Sequence, residues 1–168
     1  MEKTVYIALG SNLGDRAAMI DRAMEAMKAA GVHVLRRSSL YDTEPVDAPP
    51  QPWFLNAVAE AETQLTPQQL LHALLKIERD MGRRRTAIRA PRTPPTPRII
   101  DLDILLYGSA VIHTPELEVP HPRLPFRRFV LVPLAELVPS LRHPALHKSM
   151  AELLADAPDS GQVLRWSA

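Results

Sequence analysis

The chain has 168 residues, the length of one ordinary domain, with 46% hydrophobic and 23% charged residues and a net charge of +1. That near-neutral balance excludes a global pull toward nucleic acid or an anionic membrane. The absence of cysteine excludes disulfide and thiolate–metal chemistry and fits a reducing compartment. Met1-Glu2-Lys3-Thr4 leads straight into a short apolar run without a signal-peptide layout, and no apolar stretch is long enough for a bilayer. The expectation is a cytoplasmic protein.

Thr4 to Leu9 predicts a buried strand, and Gly10-Ser11-Asn12-Leu13-Gly14-Asp15 predicts a turn. That turn resembles a phosphate loop only loosely, since it lacks the Lys-Ser/Thr ending and the third glycine of a dinucleotide fingerprint. A helix follows from about Asp15 to Ala30, with Ile20, Ala23, Met24 and Met27 on its apolar face and Gly31 at its C-terminal end. Val32 to Tyr41 predicts a second strand. Thr43 to Pro52 is proline-rich and irregular. Phe54 to Thr63 predicts a third strand, with Phe54, Asn56, Val58 and Glu60 on one face. Thr66-Pro67-Gln68-Gln69 starts a helix with a capping box, and Leu70, Leu74, Ile77 and Met81 form its stripe before Gly82.

Between Gly82 and Ile100 lie six arginines, four prolines and no acid or lysine. Ile99 to Tyr107 is the clearest strand. Ala110 to Ile112 predicts a short strand after the Gly108-Ser109 turn. A proline-rich stretch carries His121. Phe129 to Leu137 predicts a short helix with Pro133 near its first turn. Ser149 to Ala157 predicts another, with Ser149 and Glu152 as a capping box, and Val163 to Trp166 a final edge strand. Two strands joined without a helix argue for an α+β sandwich, a mixed or antiparallel sheet with helices packed on it.

Asp101 and Asp103 alternate with Leu102 and Ile104, so both carboxylates share one strand face. Adjacent like charges are costly unless a cation lies between them. The plainer reading is two acids on a solvent-facing edge, against which the flanking aliphatics Ile99-Ile100 and Ile104-Leu105-Leu106 argue. Arginine forks suit phosphate oxygens, and paired carboxylates hold Mg²⁺ with positions left for a substrate's phosphates. The arginine loop followed by the acid pair therefore points to metal-bound polyphosphate. Taken alone, the loop is equally a solvated basic segment. Phe54 with Asn56 suits a flat heterocycle, and packing alone would explain them as well. A lone histidine such as His121 is more often structural than catalytic.

Together the segments Tyr6–Asp15, Ser39–Val46, Phe54–Ala57, Ile77-Glu78, Gly82-Arg83, Pro97–Gly108 and Val119–Arg123 resemble the 6-hydroxymethyl-7,8-dihydropterin pyrophosphokinase family of folate biosynthesis. The resemblance runs to about Pro139, and one pyrophosphokinase domain over 1–168 is expected. It implies a ferredoxin-like fold and transfer of pyrophosphate from ATP to the pterin's hydroxymethyl oxygen, with AMP leaving. It implies that Asp101 and Asp103 hold two Mg²⁺ ions with ATP. Arg83 and Arg98 would act on the transferring phosphates. Glu78, Arg85, Arg89, Ile104, Leu117, His121 and Arg127 would also bind ATP. Phe54 and Phe129 would sandwich the pterin, with Asn56 and main-chain groups near Thr43, Glu44 and Val46 reading its polar edge. The family's loop usually carries an Arg-Trp pair before Gly-Pro-Arg. Here the segment Ile88–Pro97 has no tryptophan, which leaves open whether Arg89 or Arg92 meets ATP. A monomer without nucleic-acid or membrane partners is expected. The rivals are a small RNA-binding or regulatory α+β domain using the arginine loop, and an enzyme of this fold acting on another hydroxylated heterocycle. Against RNA stands the acid pair, which repels phosphate without metal.

Overall fold

The computed structural model describes residues 1–45, 50–82, 99–158 and 161–167. In chain order these form β1 (Lys3–Ser11), α1 (Arg16–Ala29), β2 (Val32–Arg37), β3 (Tyr41–Thr43), β4 (Phe54–Thr63), α2 (Pro67–Asp80) and β5 (Asp101–Tyr107). Then come β6 (Ile112–His113), β7 (Glu118–Val119), a 3-10 turn at Leu124–Phe126, α3 (Arg128–Leu137), α4 (Met150–Asp156) and β8 (Val163–Arg165).

The main sheet runs β5-β1-β4-β3-β8, with β2 pairing the far half of β4, and each of its pairings is antiparallel. Taken alone, β1-α1-β2-β4-α2-β5 in the order β5-β1-β4-β2 is the ferredoxin-like arrangement. The expected α+β sandwich is the fold observed.

Local sequence accounts for the helix starts. The Asp15 carboxylate accepts from the Ala18 N–H at the head of α1. Thr66 and Gln69 form the expected capping box around Pro67, and Ser149 with Glu152 repeats it at α4. Gly31, at φ +92°, turns the chain from α1 into β2.

The sheet separates two apolar clusters. Val5, Ile7, Leu9, Leu55, Ala59, Leu102 and Ile104 face α1 and α2, packing with Ile20, Leu70 and Leu74. Tyr6, Val58, Leu105, Leu131, Leu134 and Leu153 pack on the opposite face, under α3 and α4. Covered on both sides, β4 buries most of its residues, polar Asn56 and Thr63 included.

Several expectations are corrected. The strand expected over Val32–Tyr41 breaks into β2 and β3, because Ser38 interrupts it. The Ser38 N–H donates to the Val58 carbonyl, and the Val58 N–H donates to Ser38 Oγ. The short strand expected at 110–112 lies instead at Ile112–His113, paired with Glu118–Val119. Its turn is closed by Thr114, whose N–H donates to the Leu117 carbonyl while its Oγ1 accepts from the Leu117 N–H. Pro133 lies in the middle of α3 rather than in its first turn, where Val130, Leu131 and Leu134 anchor the helix in the second cluster. Finally, β5 is an edge strand, contrary to the reading of its flanking aliphatics. Ile100, Ile104, Leu105 and Leu106 are buried because other segments cover the edge. The His121 N–H donates to the Leu105 carbonyl at 2.9 Å, and the Glu78 carboxylate accepts from the Leu102 N–H at 2.8 Å.

Candidate active site

One row across the sheet organises the site. Asp101 pairs with Gly10, Gly10 with Asn56, and Asn56 with Tyr41. Directly opposed residues on neighbouring strands point to the same face, so the first aspartate, the amide and the tyrosine share one surface. The next row on that face joins Asp103, Ala8 and Val58. Phe54, two residues before Asn56, lies on it too, opposite Thr43. It is the face on which α3 packs, with Phe129 in its first turn.

Gly10 is what lets these groups meet. A Cβ there would come within 2.6 Å of Asn56 Nδ2 and 3.6 Å of the Phe54 ring. The missing side chain opens the space that the amide and the aromatic edge fill. Asn56 is 8% exposed and its amide is held at both ends. Its Oδ1 accepts from Thr43 Oγ1 at 2.5 Å, and its Nδ2 donates to the Leu9 carbonyl at 3.4 Å. Glu44 is exposed at the rim, its N–H donating to the Gln162 carbonyl and its Oε2 accepting from the Gln162 N–H.

On the other side of Asp103 is a cleft of about 270 Å³ between α2, β5 and residues 114–122. Asp103, Ile104, Leu117 and His121 line it with Leu71 and Leu74 of α2. Asp103 and Ile104 of β5 line it opposite residues 114–118. His121 Nδ1 accepts from the Arg123 N–H. Burial, with the nearby Arg127 and Arg123 guanidiniums, pushes its imidazole down to about 4, with Asp101 opposing. At neutral pH His121 is therefore uncharged, with its remaining ring proton on Nε2. Arg127 stacks its guanidinium 5.3 Å from the centre of the Phe129 ring.

The structure thus brings Asp101, Asp103, Ile104, Leu117 and His121 together, and gathers Thr43, Phe54 and Asn56 around Gly10. Arg127 and Phe129 meet at the start of α3. Glu78 lies beside the acid pair. It is 1% exposed, and its carboxylate holds the main chain of β5 between the two aspartates. Val46, Arg83, Arg85, Arg89, Arg92 and Arg98 lie outside the described residues.

The donor set suits Mg²⁺: two oxygen ligands on one face leave most of an octahedral shell for water and phosphate. Among the described residues no group of three histidines, cysteines or acids closes around a metal.

Sequence reasoning missed the supports. The Asn12 Nδ2 group donates to Gln51 Oε1 and the Pro52 carbonyl. Arg16 donates to Asp42 Oδ1 and to the Trp53 carbonyl. The segment read as a plain turn is thus a bracket that fixes the approach to Phe54. Glu136 was missed as well. It accepts from the Ser39 N–H and the Tyr41 hydroxyl, and burial together with that bond raises the phenol to about 12. Only the unusual density of polar residues in Gly10–Arg16 hinted at a bracket.

Residues 6–139 match the family described as 7,8-dihydro-6-hydroxymethylpterin-pyrophosphokinase. The chain is 42% identical over 160 residues to the folic acid synthesis protein fol1 of Schizosaccharomyces pombe, covering 95% of this chain and 21% of that protein. It is 48% identical over 139 residues to a mitochondrial folate synthesis bifunctional protein of Arabidopsis thaliana, covering 83% and 24%. It is 41% identical over 162 residues to the 2-amino-4-hydroxy-6-hydroxymethyldihydropteridine pyrophosphokinase of Pseudomonas aeruginosa, covering 96% of each. The chain spans about a quarter or less of the fungal and plant relatives but nearly all of the bacterial one. A crystal structure of Plasmodium falciparum HPPK-DHPS shares the fold, with a TM-score of 0.73 at 15% identity over 93% of this chain and 44% of that one.

Proposed function

The chain belongs to the 7,8-dihydro-6-hydroxymethylpterin-pyrophosphokinase family, and on that premise we propose that it is one Mg²⁺-dependent pyrophosphokinase domain acting on ATP and 6-hydroxymethyl-7,8-dihydropterin. The observation that carries this reading is the row Asp101–Gly10–Asn56. In this reading the acid end of the row would hold metal-bound phosphates, and the amide end, with only β1 between them, would hold a flat, hydrogen-bonding ring. Pyrophosphoryl transfer needs such adjacency, because alignment and charge neutralisation supply most of its rate.

In this reading Phe54 and Phe129 lie on the two sides of the pterin, and Asn56, pre-oriented by Thr43, reads its polar edge. The cleft lined by Ile104, Leu117 and His121 takes the nucleotide base, with the uncharged imidazole offering Nε2–H as a donor. Asp101 and Asp103 would hold Mg²⁺, which when bound neutralises phosphate charge and orients the chain of phosphates. Arg127 and the loop arginines Arg83, Arg85, Arg89 and Arg98 are proposed to meet the phosphates. Glu78 serves indirectly, by fixing the strand on which both aspartates ride.

The test is to incubate the protein with ATP, Mg²⁺ and the reduced hydroxymethylpterin and identify the nucleotide product. AMP together with pterin diphosphate is expected. ADP, or no pterin-dependent turnover, would overturn the assignment. The RNA-binding rival predicts retention of labelled RNA independent of Mg²⁺.

A further inference from the structure

The family match ends at residue 139, yet residues 162–166 lie against the strand that leads into the ring site. We infer that β8 is a positioning strap for that site: it fixes the backbone of Thr43 and Glu44 and so pre-orients Asn56. The inference rests on the pterin reading given above.

β3 is only three residues long, and a pair that short is not stable by itself. On one side it pairs with β4, and on the other with β8, where Tyr41 faces Arg165, Asp42 faces Leu164 and Thr43 faces Val163. The Glu44 N–H donates to the Gln162 carbonyl at 3.0 Å, and the Trp166 N–H donates to the Leu40 carbonyl at 2.9 Å. Asp42 and Leu164 fall midway between these two hydrogen-bonded pairs, and by the alternation of an antiparallel ladder they form another. The Glu44 carboxylate closes the clasp by accepting from the Gln162 N–H at 3.1 Å.

Side chains tie down the far end. Arg165 donates to Ser39 Oγ at 2.5 Å and lies 3.8 Å from the Glu136 carboxylate. Glu136 also accepts from the Ser39 N–H and from the Tyr41 hydroxyl. The strap therefore joins α3 to β3 on both sides of Tyr41, the residue opposite Asn56. From there one bond reaches the ligand-reading group: Thr43, 2% exposed, donates its hydroxyl to Asn56 Oδ1. A shift of β3 would rotate or release that amide. None of these contacts touches the cleft lined by Ile104, Leu117 and His121, so loosening the strap affects the ring site selectively.

The decisive variant is Leu164→Pro, which deletes the central N–H of β8. Leu164 is 54% exposed, so little burial is lost with it. Pterin binding is read by fluorescence titration with a non-hydrolysable ATP analogue present, and the analogue's own affinity is measured separately. The expected result is at least tenfold weaker pterin binding with nucleotide affinity within twofold of wild type. Pterin affinity within twofold of wild type in the folded variant, or a parallel fall in both affinities, would overturn the strap. If Leu164→Pro does not fold, Arg165→Ala decides. About threefold weaker pterin binding with unchanged nucleotide affinity supports the inference, and unchanged pterin affinity overturns it. A wild-type protein that binds no pterin would sink the functional reading, and this inference with it.

Discussion

At Gly10 a residue with a Cβ fits only if the Asn56 amide moves. The glycine's neighbours across the strand are a held amide and a ring, and a methyl group would enter the space of Asn56 Nδ2. Gly10→Ala should turn the amide away from Thr43 and weaken pterin binding about tenfold. The strain should cost about 1–3 kcal/mol, measurable by urea unfolding beside the pterin titration. His121 gives a pH signature. Its folded pKa of about 4 lies below the ordinary 6.5 because burial and two guanidiniums oppose the cation. Its contribution to stability is complete above pH 6.5, falls as pH drops toward 4 while the unfolded chain binds the proton first, and levels off below that. The loss should approach about 3 kcal/mol. Urea midpoints between pH 7 and pH 4 should show a steeper fall in wild type than in His121→Asn.

Helix α2 lines the outer cleft with Leu71 and Leu74, and it also serves the site through a residue that fixes the backbone of β5. Its capping box and its stripe of Leu70, Leu74 and Ile77 dock it on the sheet, and that docking delivers the Glu78 carboxylate to the Leu102 N–H. Glu78→Ala leaves that buried donor without this acceptor and should destabilise by about 1–3 kcal/mol. Glu78→Gln, which keeps an acceptor oxygen, should cost less. Chemical unfolding of the two variants checks the ranking. The helix, its cap and its stripe were legible in the sequence because they depend on neighbours three and four residues apart. The split of β2 from β3 was not, since it depends on Ser38 bonding to Val58. The edge position of β5 was hidden for the same kind of reason: its aliphatics are covered by Glu78 and by the segment around His121, and no local pattern announces such a cover. The shared face of Asp101 and Asp103, and of Phe54 and Asn56, was readable from a period of two. That Gly10 joins the two pairs required the register.

At the scale of the molecule, two apolar clusters support two jobs: one carries the outer cleft through α2, the other carries the ring face through α3. Metal should connect them. With a non-hydrolysable ATP analogue, Mg²⁺ should raise the thermal midpoint by several degrees, and EDTA should abolish that shift while leaving the ligand-free midpoint unchanged. A thermal melt with and without chelator checks this. The sheet also sets a temporal order on folding. β1 finds both of its partners late: Lys3 pairs with Thr63 and Gly10 with Asp101. A chain emerging from the ribosome can pack α1 on Val5, Ile7 and Leu9 early, but it must leave both edges of β1 unpaired until β4 and then β5 have been made. The future centre of the sheet is then a strand with two open edges, so heat or crowding during synthesis should cost this protein more yield than the same stress applied once it has matured.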